Sequence, residues 1–564
     1  MVATASTSLA PASDIPLLSI LCIIAVVAIT TGAMAADAIE VRPPQRDTVV
    51  VDDGQSMTAV IARMDDPEIA AAARTLAVAI GHDTEIINEQ TVLGLDEDVA
   101  AELQNRHLVL VGNAHNNRAI FRLYIRELAL CDHDYPGRGG WIIRTVCDPW
   151  TAGHNAIIVG ASHDAQLQEA AAQFQAALTT DGATVTLPWA WRFESGLGGD
   201  AAPLYSPRSY TDDEWAEYNQ KITYVDQPIN QFPEPVILEA MDAADAHFHT
   251  GSEAELRRFK LAIEQLQELG DRLAPARRVE FRIKDLVIAW ERIEASPFFT
   301  PQDRTDIATF LYDIGCLWED KYWSAPKMTE RVREVGAMYN HSSNGTLGYL
   351  RLAMYLTRRC KLSGEAAGDV QNWLESAVDV FGVQERSFKP REDANGYQWW
   401  TVKHMLKYAM WKPDLDFVWN GNLRLTTDLV LAVADNLSNA AGFGDVGDRL
   451  LGYTSHAHYI CSLAVHHYGD GCARWISEFL GGSYSDREMP VDSMEPVDST
   501  GVVKIPWSRS IYDTKAQRDT DCARVPWSRT FDKIAFRSSF DPQDPYMLLD
   551  GIGGMNHGHD DCNA

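Results

Sequence analysis

The feature that most constrains this chain is a long succession of segments with apolar residues at 3.6-residue spacing, running from about residue 236 to residue 479. Such spacing places one apolar stripe on each helix, and a stripe must be buried against a neighbour. The pattern predicts helices over 253–273, 279–295, 301–319, 345–359, 368–381, 423–439 and 446–468. Thr300 before Pro301 reads as an N-cap followed by proline at the first helical position. Successive helices without a strand between them imply stacked hairpins over 205–485, either an open solenoid or a closed (α/α) toroid. No repeat of fixed period is visible, which favours the toroid.

On either side of this region the pattern changes. Residues 36–200 alternate strand-like runs (107–112, 140–146, 155–160) with helix-like ones (117–128, 164–178), the signature of a small α/β domain. We read it as accessory. Its first turn, Val111-Gly112-Asn113-Ala114-His115-Asn116-Asn117, lacks the later glycines of a dinucleotide-binding loop, so no such cofactor site is expected there. Beyond residue 482 proline, serine and aspartate rise. From 490 onward the chain reads as the start of a β domain, with strands at 533–539 and 545–550 joined by a turn at Asp541-Pro542-Gln543-Asp544. Two strands do not make a stable sheet, so the remainder of that domain is expected beyond Ala564. The paired phrases KIPWSRS at 504–510 and RVPWSRT at 524–530 read as two similar turns or edge segments.

The fold class expected is therefore multidomain α+β. With 564 residues, 46% of them hydrophobic, the chain can bury several cores, and disordered or fibrous classes are excluded. Its 79 acidic residues against 49 Lys and Arg leave a formal charge of −30, which argues against nucleic acid or an anionic membrane surface as partner. Residues 1–35 carry an apolar run and an Ala33-Met34-Ala35 processing pattern, so a signal peptide and a secreted or periplasmic location are expected. The nine cysteines are scattered without zinc-site spacing and permit one or two disulfides, not a disulfide scaffold.

Three clusters could carry chemistry. Asn340-His341, before a predicted helix, pairs an amide able to bind a carboxylate without adding charge with an imidazole able to take a proton. Tyr397, Trp399, Trp400, Lys403 and His404 follow Asn395-Gly396. If helical, Tyr397, Trp400, His404 and Tyr408 share a face suited to stacking on sugar rings, and the tyrosine hydroxyl can protonate a glycosidic oxygen. Finally, Gly553-Gly554-Met555-Asn556-His557-Gly558-His559-Asp560-Asp561 follows a strand, where alternate residues share a face and can approach a metal. Each cluster also has a plainer reading: a capped helix start, an aromatic core stripe and a polar loop.

Taken in order, these residues resemble the heparinase II/III-like polysaccharide lyases, which join an (α/α) toroid to an antiparallel β-sandwich. The resemblance spans about 236–564 and rests on Asn340-His341, Asn395-Gly396-Tyr397 and the run FRSSFDP, LLDG, GG and HGHDD between Phe536 and Asp561. It implies β-elimination on a uronate-containing polysaccharide such as alginate or a glycosaminoglycan. In that scheme Asn340 and His557 neutralise the uronate carboxylate, His341 or Tyr397 takes the C5 proton, and Tyr397 protonates the leaving oxygen. No cofactor is required for the chemistry. A structural zinc is implied at His559, with Asp561 a further candidate ligand and others beyond Ala564. Substrate contacts are expected from Trp399, Trp400, Lys403, His404 and Arg537, because a chain of this charge must meet a polyanion with local cations such as these and Arg333.

Two other classes fit the residues. An inverting toroid glycoside hydrolase would use two carboxylates among Glu392, Asp393 and Asp445. A non-catalytic glycan-binding protein would use Trp399-Trp400 as a platform.

Overall fold

The computed structural model describes residues 39–551 except 82, 95–97, 197–210, 212–213, 215–232, 274–278, 320–323, 330–338, 440, 442–449, 481–500 and 509–530. The protein is a mixed α/β structure with a helix-rich central region. The signal segment, Arg333, Asp445, the second PWSR phrase, His557, His559 and Asp561 lie outside the described residues. Among the described residues no helix is long and apolar enough to cross a membrane.

In chain order, the N-terminal part consists of β1 (Ile39–Val41), β2 (Thr48–Asp52), β3 (Gln55–Ser56), β4 (Thr58–Ala62), α1 (Pro67–Ile80), β5 (Glu85–Asn88), α2 (Ala101–Gln104), β6 (His107–Val111) and α3 (Arg118–Ile125). It continues through β7 (Trp141–Val146), β8 (Ala156–Ala161), α4 (Leu167–Ala177), β9 (Thr179–Asp181), β10 (Thr184–Leu187) and β11 (Trp191–Glu194). Six strands form one sheet in the order β11-β7-β8-β6-β4-β5. Its β8-β6-β4-β5 portion is parallel, β7 runs antiparallel to β8, and β11 runs antiparallel to β7. Strands β4, β6 and β8 are buried at every residue, as expected where both faces of a parallel sheet are covered. α1 was not foreseen; Asp66 caps it by accepting from the backbone N–H of Glu68 and Ile69, and Pro67 occupies its first turn.

The period of two decides what each sheet face meets. Val60, Ala62, Val109, Val111 and Ile157 pack with Leu76 of α1 and Phe174 of α4. The alternate residues Ala59, Ile61, Leu108, Leu110 and Ile158 enter a core shared with Leu406, Trp411 and Leu463 of the helical region. The unit read as accessory is thus fused to the helices. Arg122 donates to the Met410 carbonyl at 2.8 Å, Trp411 Nε1 to the Ile125 carbonyl at 3.1 Å, and Arg144 to the Phe248 carbonyl at 2.8 Å.

The helical region contains α5 (Pro233–Thr250), α6 (Glu253–Leu269), α7 (Val279–Ile293), α8 (Pro301–Glu319), α9 (Asn340–Arg359), α10 (Gly364–Gln384), α11 (Tyr397–Trp411), α12 (Asp416–Trp419), α13 (Asn422–Val433), α14 (Leu450–Tyr468) and α15 (Gly471–Phe479). Two expectations change here. α9 begins at Asn340 rather than 345, because Ser342 Oγ accepts from the Tyr339 N–H and caps the earlier turn. A short strand, β12 (Cys360–Leu362), interrupts the helices and pairs antiparallel with β1. Three residues are too few for a periodic signal, and the partner strand lies at the far N-terminus.

The tail forms β13 (Gly501–Ile505), β14 (Lys533–Arg537) and β15 (Tyr546–Asp550), an antiparallel sheet with β14 central. The hairpin β14–β15 follows the sequence expectation, and β13 was missed. The described cysteines, Cys131, Cys147, Cys316, Cys360, Cys461 and Cys472, are all free, so no disulfide forms among them.

Candidate functional site

Helix α9 packs between α7, α10 and α11, and α11 in turn packs on α14. The N-terminal turns of α9 and α11 bring the first two sequence clusters onto neighbouring elements. Gly396 is the N-cap of α11, and its φ of +131° suits glycine and strains any L side chain, so the Asn395-Gly396-Tyr397 step depends on that glycine.

Asn340 is buried, and its Oδ1 accepts from the His341 N–H at 2.8 Å, leaving its amide N–H groups as the donors it can offer a carboxylate. The His341 ring is partly buried and meets Phe281 edge-on at 4.9 Å. Deeper in the same helix, Ser343 Oγ lies 2.8 Å from His404 Nδ1, 3.4 Å from Thr401 Oγ1 and 3.0 Å from the Asn340 carbonyl. Thr401 Oγ1 donates to Glu392 Oε2 at 3.3 Å. Lys284 of α7 donates to Asn344 Oδ1 at 2.9 Å.

On α11, Tyr397 and Trp400 are partly buried and meet edge to face at 6.1 Å, and Trp400 meets His456 of α14 at 5.8 Å. Lys403 Nζ sits 5.2 Å from the Tyr459 ring centre, and Lys407 pairs with Glu127 at 2.7 Å. Burial holds the His404 imidazole well below its ordinary pKa, and Lys284, Lys407, His456 and Lys403 push it the same way. Burial, then Lys403 and Lys407, depress His456 likewise. Both rings are therefore neutral near pH 7, and a neutral imidazole can accept a proton.

Three expectations are corrected. Trp399 is fully buried, with Nε1 donating to Asn395 Oδ1 at 2.7 Å, so it is a core residue and Trp399-Trp400 is no flat sugar platform. Tyr408 leaves the predicted face; it stacks on Phe381 at 4.6 Å and donates to Asp414 at 3.1 Å. Arg537 does not reach this site. It donates to the carbonyls of Leu431 and Ala434 at the end of α13 and lies over Phe540 and Tyr546, so it docks the tail sheet.

The carboxylates proposed for hydrolysis also have other partners. Glu392 is buried beside Thr401, and Asp393 bridges Lys389 and Lys533. Sequence reasoning missed Lys284, Ser343, Thr401, Lys407 and His456. Lys407 was legible, because it follows Trp400 and His404 at helical spacing; Lys284 and His456 come from other helices.

A separate acidic group joins Glu385, Asp414 and Asp416, with carboxylate oxygens all within 4.8 Å of one another, a set able to take a divalent cation. Burial, then the charges of Asp414 and Asp416, raise Glu385 from an ordinary 4.5 to about 7. The protonated form is favoured by folding, so this contribution is complete below pH 4.5 and is lost as pH rises through about 7. Glu385→Gln is expected to be more stable than the native chain at pH 8 and to flatten the dependence of the urea midpoint between pH 5 and 8. Equal slopes for both proteins would contradict this.

No model of a known protein family matches the chain, and no curated protein matches it either.

Proposed function

We propose that the chain is an exported lyase that cleaves uronate-containing polysaccharide by β-elimination, its helices arranged as an (α/α) toroid and its tail strands as part of a β-sandwich. The observation that carries this reading is the cluster of neutral imidazoles, lysines and aromatic rings on α7, α9, α11 and α14, in a chain whose formal charge is −30. Lys403 would supply positive charge toward a polyuronate, while the neighbouring Lys284 and Lys407 are paired with Asp285 and Glu127. Elimination needs the carboxylate neutralised, the C5 proton removed and O4 protonated. Asn340 and His557 would serve the first need, His341 or Tyr397 the second, and Tyr397 the third. No cofactor is needed for this chemistry; a structural zinc is proposed at His559 and Asp561.

The test incubates the protein with polymannuronate, polyguluronate, hyaluronan and heparan sulfate and follows the ultraviolet absorbance of the unsaturated uronate that elimination creates. A rise reduced by about 10²–10⁴-fold in His341→Ala and in Tyr397→Phe is the expected result. New reducing ends without that absorbance would replace elimination by hydrolysis.

A further inference from the structure

The lyase reading gives no step of the reaction to two groups that the tertiary structure joins to the site: a buried carboxylate, Glu392, and a buried imidazole, His404. They are linked through two hydroxyls, Thr401 and Ser343, contributed by different helices. An ionised carboxylate can only accept hydrogen bonds, and this sets the sense of the chain. Thr401 donates to Glu392, which leaves its oxygen to accept from Ser343. Ser343 has one proton and three acceptors in reach: Thr401 Oγ1, the Asn340 carbonyl and, in one tautomer, His404 Nδ1. Directed to either oxygen, the proton points away from His404. In that arrangement the Ser343 oxygen accepts from His404 Nδ1–H, and the imidazole lone pair is left on Nε2.

We infer that His404 is a further proton acceptor of this site, with Ser343, Thr401 and Glu392 as positioning residues that hold it in the Nδ1–H tautomer. The inference rests on the lyase reading for its substrate, a polyuronate. In the step, the C5–H pair becomes the C4–C5 double bond, the C4–O4 bond breaks, the proton passes to His404 Nε2, and the departing O4 takes a proton from the Tyr397 hydroxyl. The imidazolium returns its proton to water, and the tyrosinate regains one. While the imidazolium exists, the relay places the Glu392 charge behind it. The charged or titratable groups that act on His404 are Lys284 of α7, Lys403 and Lys407 of its own helix and His456 of α14, with Glu392 reached through Thr401 and Ser343. Burial first, and then Lys284, Lys407, His456 and Lys403, disfavour the charged ring, so His404 rests neutral.

Two readouts on the full chain separate this inference from the function on which it rests. Long-range proton–nitrogen NMR of histidine-labelled protein, with His404 assigned from its loss in His404→Gln, reports the tautomer without any substrate. A neutral ring protonated on Nδ1, disturbed in Thr401→Val, is expected; protonation on Nε2 would overturn the inference whatever the activity. In the elimination assay, His404→Gln should lower kcat by about 10²–10⁴-fold. Thr401→Val should lower kcat with little change in KM. It should also move the acidic limb of the kcat/KM profile to lower pH, because an imidazolium deprived of its carboxylate is less stable. Full elimination by His404→Gln, with His341→Ala inactive, would assign the proton to His341 instead. Absence of elimination by the native protein would sink the lyase reading alone and leave the tautomer result to decide the relay.

Discussion

Lys533→Met is expected to destabilise the protein by about 3–5 kcal/mol, the usual cost of removing one partner from a buried ion cluster. Lys533 is fully buried at the start of β14 and bonds Asp393 at 2.8 Å, Asp550 at 2.9 Å and Asp532 at 3.1 Å. Lys389 completes the cluster with Asp532 at 2.8 Å and Asp393 at 3.1 Å. Burial disfavours the Lys389 ammonium, but Asp393 and Asp532 outweigh it and lift its pKa above the ordinary value. Burial likewise raises Asp532, and Lys389 and Lys533 outweigh it and hold the carboxyl low. With Lys533 gone, three carboxylates share one ammonium. The stability that Asp532 contributes is present above its ordinary 3.8 and is lost as pH falls through its depressed pKa. Urea unfolding at pH 7 measures the cost, with Lys504→Met on the exposed side of β13 as a control expected within about 0.5 kcal/mol. A loss below about 1 kcal/mol for Lys533→Met would mean that the cluster does not dock the tail sheet to the helices.

Trp411→Ala is expected to cost a similar amount, about 3–5 kcal/mol, and to lower the stability of both halves of the molecule together. The ring is 1% exposed in the core shared by the parallel sheet and the helices. Arg351 lies over it at 4.9 Å, and its indole N–H reaches the Ile125 carbonyl at 3.1 Å. Removing it opens a cavity and leaves a buried carbonyl short of a donor. A calorimetric scan should show one transition moving to lower temperature. Two separated transitions, only one of them shifted, would show that the α/β unit unfolds independently. Trp419, 56% exposed, serves as the control expected to shift little when replaced by alanine.

Legibility in the sequence followed the range of the interactions. The helices at 253, 279 and 301 announced themselves, because an apolar stripe at 3.6 spacing records only local geometry. The Asn395-Gly396-Tyr397 step entered only through the resemblance, and the structure supplies its physical reason in the positive φ of Gly396. Trp399 misled. Its aromatic ring beside Trp400 suggests a platform, and nothing local says that residue 399 faces the core while 400 stays partly exposed. Arg537 misled in the same way, since a cation in a strand can meet a substrate or the end of a helix.

By itself, the sequence determined the succession of helices through the centre of the chain, the alternation of strands and helices before it, the acidic charge that any anionic ligand must overcome, and the polar residues placed at two helix starts. These depend on periods of two and 3.6 residues and on composition, which a linear chain carries openly. Only the tertiary structure decided that Lys284, Ser343, His404 and His456 converge, that Glu392 and Asp393 have buried partners, and that the α/β unit shares a core with the helices. Those outcomes depend on which helix faces which. That choice comes from burying every apolar stripe at once, with each buried charge and hydroxyl given a partner, and no short stretch of sequence contains it.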